Sequence, residues 1–162
     1  MVNTVEIAAF IQGISREIGN KPVSKTRMGK LLYFVQIRHQ EAYGEKLMPC
    51  VQAWQWGPIV PFDEWNDVPY SLELNDPKAR ESVLTVMLEM GNVETTVLSD
   101  ISHDIGPWEL YDQEGINGII IPDEDLEDAW TQSVVALRSS DTIEVYNDIA
   151  TKENRLMELY NA

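Results

Sequence analysis

Between Ser24 and Gly44 the chain reads SKTRMGKLLYFVQIRHQEAYG, with no proline in the run. Met28, Leu31, Leu32, Val35, His39 and Ala42 recur at i, i+3, i+4 and i+7, so a helix places them on one face. Ser24 suits the N-cap, because its hydroxyl can accept from an amide that the first turn leaves unpaired. Gly44 suits the stop after Tyr43, where a left-handed residue ends a helix cheaply. The spacing therefore predicts a helix over 24–43, the best-patterned element of the chain. Arg27, Lys30 and Arg38 sit together on a neighbouring face with Phe34.

Other elements follow the same logic. Residues 4–18 carry apolar side chains near helical spacing, with Gly13 as a weak point. Pro49 to Trp56 alternates and is aromatic, which predicts a short strand ended by a Gly57–Pro58 turn. Residues 59–68 are compatible with a short helix. Asp76–Pro77 opens a further helix that Gly91 stops. A short helix is expected near 93–103, another turn of helix at Pro107–Trp108, and a second strand at Ile119–Ile121. Asp123 is expected to cap a helix through about Leu137. The tail from Ser140 reads as one last amphipathic helix. The expected fold is mainly α: a single compact helical domain over 1–138 with a minimal two-stranded β element, and a helical extension over 139–162 packed on it or projecting from it.

Length and charge narrow the partners. At 162 residues the chain can bury a core without staples, and its one cysteine, Cys50, rules out an internal disulfide. Its start shows no secretory signal pattern and no stretch reaches the roughly 18 apolar residues of a membrane span, so a cytoplasmic protein is expected. The net charge is −15: the first 46 residues carry +3 and the remainder −18. Such a body repels a nucleic-acid backbone and favours a basic partner. An acidic surface kept for solubility alone is the other reading.

Motifs for known chemistry are missing. Neither dinucleotide- nor phosphate-binding glycine patterns occur. Two histidines and one cysteine form no zinc pattern, so neither metal nor cofactor is expected. Cys50 with His39 or His103 could serve as nucleophile and base, but a small buried thiol is the expected role. His39, on an apolar face, is expected to be a satisfied core histidine. Ser102 and His103, just before Gly106–Pro107–Trp108, could fix that turn or line a small polar pocket. No catalytic residue is assigned.

Four blocks in order carry a family resemblance: KTRMGKLLYFVQIRHQEAYG at Lys25–Gly44, QAWQWGPIVP at Gln52–Pro61, LSDISHDIGPW at Leu98–Trp108 and IPDEDLEDAW at Ile121–Trp130. Together they resemble the Panacea antitoxin domain, the group of SocA-like and GepA-like proteins, over about residues 3–131. Lys25, Lys30, Leu31, Leu32, Tyr33 and His39 match the family's helix. Ala53, Trp54, Gly57, Pro58 and Pro61 match its strand and turn, and Ser102, His103, Pro107 and Trp108 its later segment. Gly29 stands where the family has a better helix former, and Trp56 where it commonly has Tyr.

The resemblance implies a non-enzymatic intracellular protein that neutralises a cognate protein toxin by direct binding. Candidate contacts are Arg27, Lys30, Phe34, Arg38 and Trp56, although burial of Trp56 is the simpler expectation. The alternative is an acidic inhibitor or decoy, possible in a phage, that binds a host defence or nucleic-acid enzyme. An enzyme using His39 or His103 with an acid is a third reading.

Overall fold

The computed structural model describes residues 2–62, 68–139 and 149–161, the side chains of 149–154 excepted. The architecture is mainly α with a small sheet. In order come α1 (Thr4–Glu17), α2 (Lys25–Tyr43), β1 (Val51–Trp54), β2 (Gly57–Ile59), α3 (Pro77–Met90), α4 (Thr95–Asp104), α5 (Trp108–Tyr111), β3 (Ile119–Ile121), a 3₁₀ turn (Asp123–Leu126), α6 (Ala129–Arg138) and α7 (Ile149–Tyr160). The expected helix over 59–68 is not found in its described part, since Ile59 closes β2; residues 63–67 lie outside the described ones.

α2 is the axle of the fold. Ser24 Oγ accepts from the Arg27 amide, and Gly44 closes the helix at φ 66° with its amide on the Gln40 carbonyl. The helix is buried almost all round from Lys30 to Ile37, not on one stripe. The reason is its company: α1, α3, α4, α6 and β2 all pack on it. A helix so enclosed hides every face. Phe34, expected at the surface, is therefore fully buried, between Tyr33 (ring centroids 5.1 Å apart) and Trp130 (6.5 Å). The helix emerges only near its two ends, where Lys25 and Thr26 and then Glu41 and Ala42 are exposed.

Two buried glutamines, which periodicity does not flag, tie connectors to this core. Gln12 donates to the Val23 carbonyl and accepts from the Val23 amide, both at 2.9 Å. Gln36 treats Met48 the same way, both at 2.8 Å. Each side-chain amide pairs with a peptide that would otherwise be buried unsatisfied.

Gly13 and Gly29 interrupt two helices for different reasons. At Gly13 the segment around Ser71 crosses α1, with the Ser71 amide donating to the Ala9 carbonyl at 3.1 Å, and its carbonyl oxygen occupies the space of a Cβ. At Gly29 a Cβ would meet only the Ile59 side chain, at 3.5 Å, an ordinary contact. Gly29→Ala is therefore expected to stabilise the chain by about 0.5–1 kcal/mol, the difference in helix propensity. Urea denaturation of the two proteins measures it.

The sheet has three strands, one more than expected, in the order β2-β1-β3, both pairs antiparallel. The hairpin turn lies two residues earlier than predicted: Trp54 pairs with Gly57, so Gln55 and Trp56 form the loop and Gly57–Pro58 begins β2. Neither loop residue has the positive φ that the usual two-residue hairpins require. Instead Asn117 Oδ1 accepts from the Gln55 amide at 2.8 Å, and Gly57 takes φ 119°.

The predicted helix over 123–137 is split. Asp123–Leu126 is a 3₁₀ turn, Asp128 adopts φ 61°, and α6 starts only at Ala129. Aspartate competes with helix by bonding its own backbone and tolerates the left-handed region. Crowded acids therefore broke this helix instead of capping it. In the tail, α7 packs against α3, with Leu156 and Leu159 in the main core and the Arg80 guanidinium donating to the Leu159 carbonyl at 3.0 Å. Residues 140–148, predicted to start the helix, lie outside the described residues.

Candidate functional site

Residues far apart in sequence meet at the carbonyl of Trp56. Lys30 Nζ, from the middle of α2, donates to it at 2.6 Å. His103 Nε2, from the end of α4, lies 2.6 Å from the same oxygen. A carbonyl only accepts, so Nε2 carries the proton. Ser102 Oγ donates to the Ser99 carbonyl at 2.8 Å and accepts from Lys30 at 3.3 Å. The His103 ring stacks on Trp108, 4.4 Å between centroids and 11° from parallel. Trp108 Nε1 in turn donates to the Trp54 carbonyl at 2.8 Å. Helix, hairpin and α4–α5 corner are thus closed into one brace.

Gly57 is what lets them close. A Cβ there would collide with Lys30 Nζ and lie 2.7 Å from the His103 ring. Pro58, buried, follows Gly57 in β2, and Pro107 leads the chain into α5. Leu31, Leu32 and Tyr33 are buried in the main core. Burial pushes the Tyr33 phenol well above its ordinary value.

Lys30 is the expected surface residue that the structure corrects most. It is 1% exposed and has a carbonyl and a hydroxyl as acceptors, with no carboxylate paired to it among the described residues. Enclosure by β2 and α4 costs its charge hydration, which lowers the amine from 10.5 to about 8. The sign is fixed by linkage. Between pH 8 and 10.5 the unfolded chain holds more protons at this group than the folded one, so stability rises with pH across that window. Relative to Lys30→Met, the wild-type chain is expected to gain about 1 kcal/mol between pH 7 and pH 9, read from urea midpoints at each pH.

The other two residues of the basic stripe are also engaged. Arg27 spreads over the end of α3, donating to the carbonyls of Val93 (2.6 Å), Gly91 (3.0 Å) and Met90 (3.4 Å). It thereby satisfies acceptors that a helix terminus leaves over, on the end where a cation suits the dipole. Arg38 is 13% exposed and pairs with Glu81 at 2.8 Å. The stripe Arg27/Lys30/Arg38 thus serves the domain's own interior.

His39 lies apart from the brace. It is 2% exposed, with Nδ1 2.8 Å from Ser82 Oγ and Nε2 3.5 Å from Glu45. Ser82 Oγ also accepts from Arg38 at 3.2 Å, and both ring nitrogens of His39 face a polar partner, Ser82 at Nδ1 and Glu45 at Nε2. Burial, the larger effect, lowers its pKa against the opposing pull of Glu45. Cys50 is half-buried, more open than expected.

No family model, curated protein or solved structure matches the chain. Among the described residues no cluster of three or more His, Cys, Asp or Glu could hold a metal, and no helix is long and apolar enough to cross a membrane.

Trp56 reverses its expectation in the other direction. Its carbonyl is the hub of the brace, yet its side chain is 49% exposed. Its ring lies 6.3 Å from that of half-buried Trp54. Together with Pro61, Phe62 and the exposed Lys25, these indoles line a cleft of about 350 Å³. Sequence reasoning did not find this cleft. The signal available was Gly29, a helix-interior glycine with no turn to make.

Proposed function

We propose that this chain is the antitoxin of a two-component pair, acting inside the cell by binding a protein toxin directly and with no chemistry of its own. One observation supports the reading most. Residues picked out as a set by resemblance to the Panacea antitoxin domain (Lys30, Trp54, Gly57, Ser102, His103 and Trp108) are also a set in space, around the Trp56 carbonyl. They spend their donors and acceptors on the fold. What the brace offers outward is an aromatic surface, the kind of surface that anchors protein partners.

Co-expression with the product of the adjacent gene, followed by affinity purification, tests this. A stoichiometric complex is expected; a neighbour that elutes free of the chain contradicts it. The acidic-inhibitor reading draws on the −15 net charge and differs in salt response. A complex held mainly by charge weakens steeply between 0.1 and 1 M salt, about a 10 to 3 Å change in screening length, whereas one anchored by indoles holds.

A further inference from the structure

The cleft beside the brace lies between the N-terminal half of α2 and the β1–β2 hairpin. Four features set it apart. Gly29 sits in it, in the interior of a helix, at a position with room for a methyl group; the missing side chain weakens α2 and deepens the cleft. Its apolar lining includes Trp54, Trp56, Ile59 and Phe62, so an occupant meets mainly rings and a branched aliphatic chain.

The third feature is continuity with the sheet. Gln52 of β1 pairs directly with Ile59 on one side and Ile120 on the other. Directly opposed residues share a sheet face, and Trp54, two residues along from Gln52, shares it too. Ile120 is 60% exposed. Ile59, Trp54 and Ile120 therefore stand on one face of the three strands, with Gln52 between the two isoleucines, and this largely apolar face extends beyond the cleft, further than a small molecule needs.

The fourth feature is charge. The chain has 27 Asp and Glu, yet none of the described residues lining the cleft is acidic, while Lys25 and Lys30 both line it. Lys25 is exposed and has no ion pair among the described residues. The cleft between α2 and the 3₁₀ turn is the opposite, lined by Glu41, Asp123, Glu127 and Asp128.

We infer that the Trp54–Trp56 cleft and the adjoining sheet face are the docking surface for the protein partner, and that the occupant is a polypeptide segment whose large apolar side chain enters beside Gly29 while a neighbouring carboxylate meets Lys25. This deepens the binding function proposed above and rests on it for the identity of the partner. A nucleic acid is disfavoured by the net charge of −15, and a lone small molecule by the extent of the apolar face.

The test is a titration of ¹⁵N-labelled full-length chain with acetyl-Glu-Phe-Glu-amide, acetyl-Glu-Ala-Glu-amide and acetyl-Lys-Phe-Lys-amide. Shifts at Lys25, Gly29 and the Trp54 and Trp56 indoles are expected with the first peptide at millimolar concentration, and not with the other two. Gly29→Leu, which fills the cleft, is expected to weaken binding tenfold or more, and Lys25→Glu about tenfold, with the rest of the spectrum unchanged. No response at these residues, an equal response to all three peptides, or wild-type binding by Gly29→Leu overturns the inference. The two proposals also separate. Toxin neutralisation at full strength by Gly29→Leu removes the docking surface and leaves the antitoxin reading standing. Peptide binding in the cleft without neutralisation by the wild-type chain supports the docking surface and removes the antitoxin reading.

Discussion

Gly57→Ala is expected to be among the most damaging single-atom additions to this chain, costing about 3 kcal/mol or more. Two effects add. At φ 119° an L-residue is strained by about 1–3 kcal/mol. The new methyl also falls on Lys30 Nζ and against the His103 ring, and overpacking of that kind costs about 1–3 kcal/mol. Neither side chain can step aside without giving up its bond to the Trp56 carbonyl. For a chain of 162 residues, about 3 kcal/mol lowers Tm by roughly 6–12 °C. Thermal unfolding followed by circular dichroism reads the loss. A fall of under 2 °C would mean that the brace is not closed as described.

Gly13→Ala is expected to cost about 2–3 kcal/mol, although it replaces a helix-interior glycine with the best helix former. Propensity alone predicts a gain of about 1 kcal/mol. It is overruled because the Cβ would overlap the Ser71 carbonyl oxygen, and that atom is backbone, fixed by the bond from the Ser71 amide to Ala9. Gly29→Ala is the control, since the same substitution there meets only the yielding Ile59 side chain. Opposite signs at the two positions are expected from parallel urea titrations. Stabilisation at both would remove the segment around Ser71 from the face of α1.

Local chemistry was legible wherever it depends on neighbours in the chain. Ser24 and Gly44 bracket α2 as their types require, and Asp76 caps α3 by accepting from the Ala79 amide. Misreadings came where long-range contacts decide. Phe34 and Lys30 belong to the polar-looking side of α2, and only the arrival of α4, α6 and β2 buries them. The hairpin turn looked as if it must use Gly57, but Asn117, sixty-two residues away from Gln55, supplies the bond that shapes it. The brace residues were picked out together by resemblance but not joined in space, and His103 was open between fixing a turn and lining a pocket. That Lys30 and His103 share one carbonyl follows from β2 running beside α2 and α4, a pairing no single sequence displays. The cleft escaped for a related reason: its residues come from separate elements, and Gly29 reads as a flaw until Ile59 is seen beside it.

The most direct test of the binding account is growth of cells expressing the adjacent gene product, alone and with this chain as wild type or Trp56→Ala. The Trp56 side chain is half exposed and the brace uses only its carbonyl, so the variant is expected to fold with a wild-type Tm. Loss of an interface indole of this kind costs about 2 kcal/mol or more, roughly a thirtyfold weaker complex. The account predicts arrested growth with the neighbour alone, full growth with the wild-type chain, and arrest again with Trp56→Ala at equal protein level. Arrest that the wild-type chain does not relieve would contradict it.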